Sequence, residues 1–444
     1  MRRLSAATLA EARGVAPPTY DRTGPAPFVH LGPGAFARAH LGVYADDLCR
    51  VGHDARIRAV ALRHPTAEEQ LAPQDGLYTV TTREPGVPAA TRLIGSLVAV
   101  ATGAPVAVAA IADPATSFVT LTVTEKGYDS VGPGSAVAVL VAGLDGRRRK
   151  GQGGLVVASL DNLLDNGHVL RDRVLGVAPE VGPPGLVSWI EAEVAFPCSV
   201  VDRMVPATTD ADRAEVAQRL GLVDEAAVVA EAHRSWVVEA VDGLPPLAEA
   251  GVEVVADVGA HQQRKLWLLN APHSALAYGG LLADHDTIAS AVADPLVAGF
   301  VRALVDDVLA VVDAADGGPE PVAYAADALR RFANPALGHT CAQVGADGSR
   351  KLAQRVLPVV GARQARGLSL DRFAVVVAAW LAAVAARSVE DPAADEVRAA
   401  LATGGPLAAA ELGVGPTLRS WAPAVAAAYD RVVAEGPRVL AAVP

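Results

Sequence analysis

The chain has 444 residues, 51% of them hydrophobic, and a formal net charge of -11. This length allows two or three domains with large cores, and the negative charge without a basic run argues against a nucleic-acid or membrane partner. The three cysteines lie far apart without metal-ligand spacing, so neither a disulfide framework nor a zinc site is indicated. We expect a cytoplasmic protein, because no signal-peptide core follows Met1–Arg3 and the longest apolar run, Phe373 to Ala386, is too short to span a bilayer.

The first predicted element is a short strand at residues 28–31, followed by a glycine turn at 32–37 and a helix from Arg38 to Leu48. Strand, G-x-G-x-x-A turn and helix is the order that a dinucleotide site requires, because the glycines let backbone N–H groups approach the pyrophosphate. Most isolated turns of this kind are only turns, and that alternative stays open. The candidate cofactor-binding residues of this segment are Gly32, Gly34, Ala35 and Phe36.

A second strand is predicted at residues 57–62. In a dinucleotide-binding domain this strand normally ends in an Asp or Glu that binds the ribose 2′-OH of NAD, whereas an arginine suits the 2′-phosphate of NADP. Here Arg63 follows the strand, so it is a candidate cofactor residue and leaves the choice of cofactor open.

Three further strand-like runs end in polar residues. The run at 118–124 leads from Thr124 into Glu125, the run at 155–159 precedes Asn162, and the run at 196–206 contains Asp202-Arg203. Polar groups at the carboxyl ends of parallel strands face the ligand crevice of an open sheet, which favours a binding role. A structural ion pair explains Asp202 and Arg203 equally well.

From about residue 258 the pattern changes to long Ala/Leu/Val stretches with helical spacing. They are residues 262–270, 286–313, 321–332, 350–359, 370–387 and 423–441. The predicted fold class is therefore α/β, with a Rossmann-type dinucleotide-binding domain at 1–257 and a mostly α-helical substrate domain at 258–444. We expect the active site in the cleft between the domains, a favoured place for ligands.

The second domain opens with a lysine, an asparagine and a histidine in an apolar run, at Lys265, Asn270 and His273. On an α-helix these side chains fall within an arc of about 140°. A lysine beside an apolar surface loses solvation, which lowers its pKa and lets it act as a base near neutral pH. The alternative is a buried helix with a snorkelling lysine and two satisfied polar groups.

Taken together, these residues resemble the polyol-specific long-chain dehydrogenase/reductase family, which includes mannitol 2-dehydrogenase and fructuronate reductase. The resemblance spans nearly the whole chain, and the sequences of several motifs are most similar to those of fructuronate reductase. The residues that carry it are His30–His40, Gln74–Thr79, Leu121–Tyr128, Asp161–Leu163, Phe196–Arg203, Lys265–Ser274, Arg331–Pro335 and Asp347–Lys351.

The resemblance implies hydride transfer between NAD(H) and a sugar alcohol, ketose or sugar acid, without a metal. Lys265 would be the base, while Asn270 and His273 would stabilise the developing alkoxide. Asn162 and Asp202 match family positions near the substrate, and Arg203 is a candidate beside them. We expect a monomer or a homodimer, with NAD as cofactor and NADP possible because of Arg63.

The sequence departs from the family pattern at three places. Pro272 disfavours α-helical geometry at Ala271 and could displace His273. Gln262 stands where mannitol dehydrogenases often have a proton-relaying Glu, and Gly338-His339-Thr340 replaces an Arg-His pair. Two alternatives therefore stay open: an NADP-dependent sugar dehydrogenase of specialised metabolism, or a catalytically idle nucleotide-binding relative.

Overall fold

The computed structural model describes residues 1–123, 125–128, 132, 134–312 and 318–443, except the side chains of Glu125 and Lys126. The chain forms two compact units, Met1–Gly259 and Ala260–Pro444. Across the described ranges, none of the helices combines the length and the hydropathy that crossing a membrane would need.

The first unit contains all twelve strands found in the described residues. They are β1 (Phe28–Leu31), β2 (Ile57–Ala61), β3 (Tyr78–Glu84), β4 (Val87–Ile94), β5 (Leu97–Thr102), β6 (Phe118–Leu121), β7 (Leu155–Ser159), β8 (Val194–Ala195), β9 (Ser199–Asp202), β10 (Val228–Ala230), β11 (Ser235–Glu239) and β12 (Glu253–Val255).

Six of these strands form one parallel sheet in the order β5-β2-β1-β6-β7-β8. Numbered only among themselves, the strands run 3-2-1-4-5-6, which is the doubly wound Rossmann order. The strand order reverses between β1 and β6, where Leu31 pairs with Leu121. The predicted fold class is thus confirmed, and the glycine turn after β1 lies at the switch point where such sheets bind ligands.

Both faces of the parallel sheet are buried, as expected for strands covered by helices on each side. Along β1, Phe28 packs into one apolar cluster, whereas Val29 and Leu31 pack into the other. The run of consecutive buried residues therefore reflects burial on two faces.

Two smaller sheets, ordered β10-β3-β4 and β12-β11-β9, complete this unit. The residues before Arg203 were expected to repeat the pattern of the parallel strands. Instead β9 pairs antiparallel with β11, so Asp202 lies opposite Ser235 in a separate sheet. A second difference is that β6 ends at Leu121, while Thr124 lies outside the described residues.

The helices of the first unit are α1 (Ala35–Ala39), α2 (Leu41–Arg50), α3 (Thr66–Leu71), α4 (Ala104–Ile111), α5 (Glu125–Tyr128), α6 (Ala136–Arg149), α7 (Asn166–Val181), α8 (Leu186–Glu193) and α9 (Asp210–Leu220). The continuous helix expected from Arg38 to Leu48 is broken at His40, whose φ of -108° and ψ of -82° are not helical. The His40 ring is held there by the Ser235 carbonyl at 2.9 Å and by stacking on Phe36 at 5.0 Å.

The second unit is built from helices. They are α10 (Gly259–Arg264), a π-helix (Lys265–Asn270), α11 (Ala271–Leu282), α12 (Ile288–Ala293), α13 (Pro295–Leu309), α14 (Pro321–Phe332), α15 (Cys341–Gly345), α16 (Gly348–Arg355), α17 (Leu357–Ala365), α18 (Asp371–Ala385), α19 (Ala394–Val414) and α20 (Ala422–Glu435). Short 3-10 turns occur at Leu9–Glu11, Ala72–Gln74, Leu247–Ala250, Pro335–Leu337, Pro416–Trp421 and Gly436–Leu440.

Helix α19 was not expected from the sequence, because Gly404-Gly405-Pro406 reads as a break between elements. The structure keeps helical turns on both sides and places a kink at Gly405, whose φ is 69°. Glycine allows this positive φ, so the helix resumes after the proline.

Candidate active site

The glycine turn after β1 contains two glycines that are needed for different reasons. Gly32 has a φ of 93°, and a Cβ there would lie 2.2 Å from the carbonyl oxygen of Thr122. A Cβ at Gly34 would instead meet no described atom nearer than the Gly32 oxygen, at 3.9 Å. Packing within the described chain thus requires glycine at Gly32. The space that a side chain at Gly34 would fill is open, which suits the close approach of a ligand.

The room beside Gly34 lies at the start of α1, whose first residues are Ala35 and Phe36. The first N–H groups of a helix have no acceptor within the helix, and they attract anions such as a pyrophosphate. These residues could hold a dinucleotide, as predicted from the motif.

The His30 side chain contacts the glycine turn, and this role was not predicted from the sequence. Its Nε2 lies 3.1 Å from the Gly32 carbonyl, which can only accept, so Nε2 carries the proton. Its Nδ1 then accepts from the Thr120 hydroxyl at 2.9 Å. Burial lowers the pKa of His30 to about 4, so the ring is neutral and structural. A polar residue in an otherwise apolar strand was the available signal.

The other predicted cofactor residues remain predictions. Arg63 is exposed two residues beyond the end of β2, where the ribose-binding acid of other domains is expected. Thr124 lies outside the described residues, and Glu125 begins α5 with its side chain outside the described atoms.

Asn162 is exposed on the loop after β7, and its neighbour Asp161 fixes that loop. The Asp161 carboxylate accepts from the Val123 N–H at 3.0 Å and from the Tyr128 hydroxyl at 2.8 Å. Burial, and then the Asp161 charge, raise the pKa of Tyr128 far above its usual value, so the phenol stays a donor. Asn162 is therefore presented from a firmly held turn.

Asp202 and Arg203 are both buried but have different surroundings. Asp202 Oδ2 lies 3.5 Å from His233 Nε2. The Arg203 guanidinium donates to the Glu231 carbonyl at 3.1 and 2.9 Å and also to the Ala39 carbonyl. Burial, and then the charge of Arg234, lower the pKa of Arg203 to about 10. These contacts with backbone carbonyls favour a structural role for Arg203, while the expected ion pair with Asp202 remains a prediction.

The helical stretch that contains Lys265, from Gly259 to Leu282, includes a π-helical segment that was not predicted from the sequence. The segment runs from Lys265 to Asn270, and the Ala271 N–H bonds to the Leu266 carbonyl five residues earlier. In an α-helix, residues five apart are rotated by about 140°. A π-turn holds more residues, so it rotates Asn270 back toward the face of Lys265, and such turns are frequent at functional sites.

The expectation that Pro272 would disturb Ala271 is wrong. Ala271 has a φ of -67° and a ψ of -49°, and the proline stands in the first turn of α11. The proline is accommodated inside a continuous helical stretch, since the π-helix at Lys265–Asn270 runs directly into α11. The widened π-turn immediately before it is where the α-helical pattern is interrupted instead.

All three predicted catalytic residues have buried polar groups. Lys265 is 8% exposed and Asn270 is 6% exposed. His273 is partly exposed as a residue, but its Nε2 is buried. Within the described ranges, neither Asn270 Oδ1 nor His273 Nε2 has a hydrogen-bond partner. An unsatisfied buried polar atom costs about 1–3 kcal/mol, so these two atoms are candidates for contacts with a ligand.

The His273 ring stacks on Phe332 with the ring centres 4.5 Å apart. Its pKa lies well below the usual value, first because of burial and then because of the neighbouring basic side chains Arg355, His339, Lys351 and Arg331. The ring is therefore neutral, with one N–H to donate, in a positive environment.

A doubly wound sheet with a glycine turn at its switch point, followed by a helical unit with a buried lysine, is the architecture of a dinucleotide-dependent oxidoreductase. Residues 27–248 match the mannitol dehydrogenase Rossmann domain, and residues 257–410 match the mannitol dehydrogenase C-terminal domain. The chain belongs to the mannitol dehydrogenase family.

Individual relatives agree with this assignment. The chain is 37% identical over 400 residues to D-mannonate oxidoreductase of Escherichia coli (strain K12), covering 83% of this chain and 82% of the relative. It is 35% identical over 403 residues to mannitol 2-dehydrogenase of Cereibacter sphaeroides, covering 83% of each. The ternary complex of Pseudomonas fluorescens mannitol 2-dehydrogenase with NAD and D-mannitol superposes with a TM-score of 0.89 at 29% identity, covering 99% of both chains.

Proposed function

We propose that the protein is an NAD-dependent dehydrogenase that interconverts a secondary alcohol and a ketone in a linear sugar acid, with Lys265 as the base and no metal in the chemical step. The observation that carries the proposal is the pair of buried atoms without described partners, Asn270 Oδ1 and His273 Nε2, on the same helical stretch as Lys265. The relatives named for mannonate and mannitol oxidation support the reaction class.

Gly32, Gly34 and the first turn of α1 are proposed to hold the cofactor pyrophosphate. The room beside Gly34 and the forced turn at Gly32 fit that group. When bound, NAD accepts a hydride from the carbon that bears the reacting hydroxyl. Arg63 at the end of β2 weakens the preference for NAD over NADP, because its charge also suits a 2′-phosphate.

In the direction of oxidation, Lys265 takes the proton of the substrate hydroxyl. His273 is neutral, and in the tautomer with the proton on Nε2 it donates to the oxygen as negative charge develops there. Half a turn of the Asn270 amide exchanges Oδ1 for Nδ2 with little change of shape, so this residue can offer a second donor. Each well-placed donor is worth about 3–4 kcal/mol in the transition state.

The charges around His273 favour an anionic substrate. Arg355 donates from Nη1 to the Ser274 hydroxyl at 3.0 Å, beside His273, and Lys351 lies one turn earlier on α16. Arg331 is buried next to Phe332, the ring that stacks on His273. A substrate carboxylate near these cations would gain charge-assisted hydrogen bonds that a neutral polyol cannot form.

A neutral polyol is the second candidate. It is supported by the structural similarity to the complex with D-mannitol, which extends over 99% of both chains. Asn162 and Asp202 are kept as candidate contacts for the hydroxyl groups of either substrate.

The test is the formation of NADH or NADPH from D-mannonate and D-mannitol, each with NAD and with NADP. We expect kcat/KM with D-mannonate and NAD to exceed that with D-mannitol at least about a hundredfold, or about 2.8 kcal/mol. Equal or better use of D-mannitol would overturn the sugar-acid assignment. If none of the combinations gives turnover, the alternative of a catalytically idle nucleotide-binding relative would be favoured.

The proposed role of the cations near His273 can be tested with a pair of matched variants. Replacing Lys351 by Met should raise KM for D-mannonate at least about tenfold, the effect of losing one charged hydrogen bond. Arg350→Met removes an equally charged but exposed residue of the same helix and should leave KM unchanged. An equal change in both variants would show that only the net charge matters.

A further inference from the structure

Three metal-binding side chains meet at the start of α7, and none of them belongs to the residues assigned to hydride transfer. They are Asp165, His168 and Cys198, and one ligand atom of each lies within 4.8 Å of the other two. We propose that these three side chains bind a thiophilic divalent cation such as Zn²⁺, which would clamp the start of α7 to the segment before β9.

The fold brings these residues together through a close backbone contact. Asp165 and His168 flank the first residues of α7, while Cys198 stands immediately before β9. Between them, a Cβ at Gly167 would lie 2.5 Å from the carbonyl carbon and oxygen of Pro197, so only glycine allows the two segments to touch. Sequence spacing could not indicate this approach, because thirty residues separate His168 from Cys198.

The same contact is held rigid by Asn166, which is fully buried. Its Nδ2 shares two N–H groups among the carbonyls of Ser159, Asp161 and Ser199 at 3.1, 3.0 and 2.9 Å, and its Oδ1 accepts from the Ser199 N–H at 2.8 Å. On the other side, the Cys198 N–H donates to Glu239 Oε2 at 2.8 Å. The backbone positions of the two segments are therefore set by the fold before a cation arrives.

The chemistry of the three donors suits zinc better than magnesium or calcium. A thiolate, an imidazole and a carboxylate are typical zinc ligands, whereas magnesium and calcium prefer oxygen alone. In a tetrahedral zinc site neighbouring donor atoms lie about 3.5 Å apart, so small side-chain rotations would close the site. Asp165 and His168 are exposed, which gives the cation a route from solvent to the buried sulfur.

Cys198 would lose a proton on binding. A cysteine thiol with an ordinary pKa of about 8.5 is already protonated at neutral pH, whereas the thiolate is the form that binds a metal. The cation would displace that proton into solvent as the metal–sulfur bond forms. The N–H groups of His168 and Gly167 already bond to the sulfur and would also stabilise the thiolate.

The test uses Co²⁺ as a spectroscopic probe on the chelator-treated, full-length protein. We expect one equivalent of Co²⁺ to produce a thiolate-to-cobalt charge-transfer band with release of one proton, and Zn²⁺ to abolish the band by displacement. Cys198→Ser should remove the band. Cys49→Ser and Cys341→Ser are matched controls, because both change buried free cysteines elsewhere, and both should keep it.

A second variant guards against misfolding of Cys198→Ser. His168 is exposed, so His168→Gln should fold normally and weaken Co²⁺ binding at least tenfold. Absence of the charge-transfer band in the wild type would overturn the proposal. A band that survives in Cys198→Ser, or an affinity unchanged in His168→Gln, would overturn it as well.

Discussion

Asn166 in the first unit and Asn270 in the second are both buried asparagines, but their amides have opposite surroundings. The Asn166 amide contacts four backbone groups, one through Oδ1 and three carbonyls that share the two N–H groups of Nδ2. Asn270 Oδ1 has no hydrogen-bond partner in the described part of the chain. The polar atoms of the Asn166 amide are satisfied by the protein's own backbone. The Asn270 oxygen is left without a described partner, and we propose that the substrate supplies one. This contrast separates residues that stabilise the protein from residues that we propose to bind its substrate.

The largest effect is expected for Lys265→Ala. Loss of the base should lower kcat about 10²–10⁴-fold or more while leaving the Kd for NAD nearly unchanged, because the base acts on the chemical step. Steady-state kinetics and a cofactor titration measure the two quantities. Lys150→Ala, which changes an exposed lysine of the first unit, should keep full activity. If Lys265→Ala retained more than about a tenth of the wild-type kcat, the assignment of Lys265 as the base would be wrong.

The next effect compares the stabilities of Asn166→Leu and Asn270→Leu. Removing Asn166 leaves several buried backbone groups unpaired, so the free energy of unfolding should fall by at least about 3 kcal/mol. Asn270→Leu should change it by less than about 1 kcal/mol, or raise it, because Oδ1 has no described bond to lose. Urea denaturation of both variants gives the two values. Equal destabilisation would remove the distinction between the two amides.

The two glycines of the turn should also separate stability from binding. Gly32→Ala should destabilise the protein by at least about 2 kcal/mol, because its Cβ would strike the Thr122 carbonyl at a positive φ. Gly34→Ala should preserve the melting temperature but weaken NAD binding at least about tenfold, or 1.4 kcal/mol, by filling the room beside it. Thermal melts and a cofactor titration distinguish these outcomes. Unchanged NAD affinity in Gly34→Ala would place the pyrophosphate elsewhere.

The smallest effect concerns proton transfer at Lys265. Gln262 is buried one helical turn before the lysine and cannot titrate. In Gln262→Glu the new carboxylate favours the ammonium form of the lysine, so the rise of kcat for oxidation should move to higher pH. Gln262→Met controls for loss of the amide and should not produce this shift. An identical pH profile for wild type and Gln262→Glu would show that Gln262 does not border the proton path.

The elements with strong local signals could be predicted from the sequence. Strand β1, its glycine turn and the apolar run around Lys265 follow from β-branched, glycine and helical patterns, and the strand order confirmed the Rossmann class. Local patterns could not predict the π-helix, because an apolar run indicates a buried helix without specifying which hydrogen-bond spacing that helix has. They also missed the break at His40, which depends on a carbonyl at Ser235, nearly two hundred residues away. The meeting of Cys198 with His168 likewise depends on tertiary packing.

The most direct test of the central claim is kcat for D-mannonate oxidation by wild type and Asn270→Leu, measured where both proteins are fully folded. If the substrate oxygen hydrogen-bonds to the amide of Asn270, kcat should fall about 10²–10³-fold, the value of one lost oxyanion donor, while the free energy of unfolding falls by less than about 1 kcal/mol. An Asn270→Leu variant that keeps the wild-type kcat would contradict the account, since the buried amide would then have no part in holding the reacting oxygen.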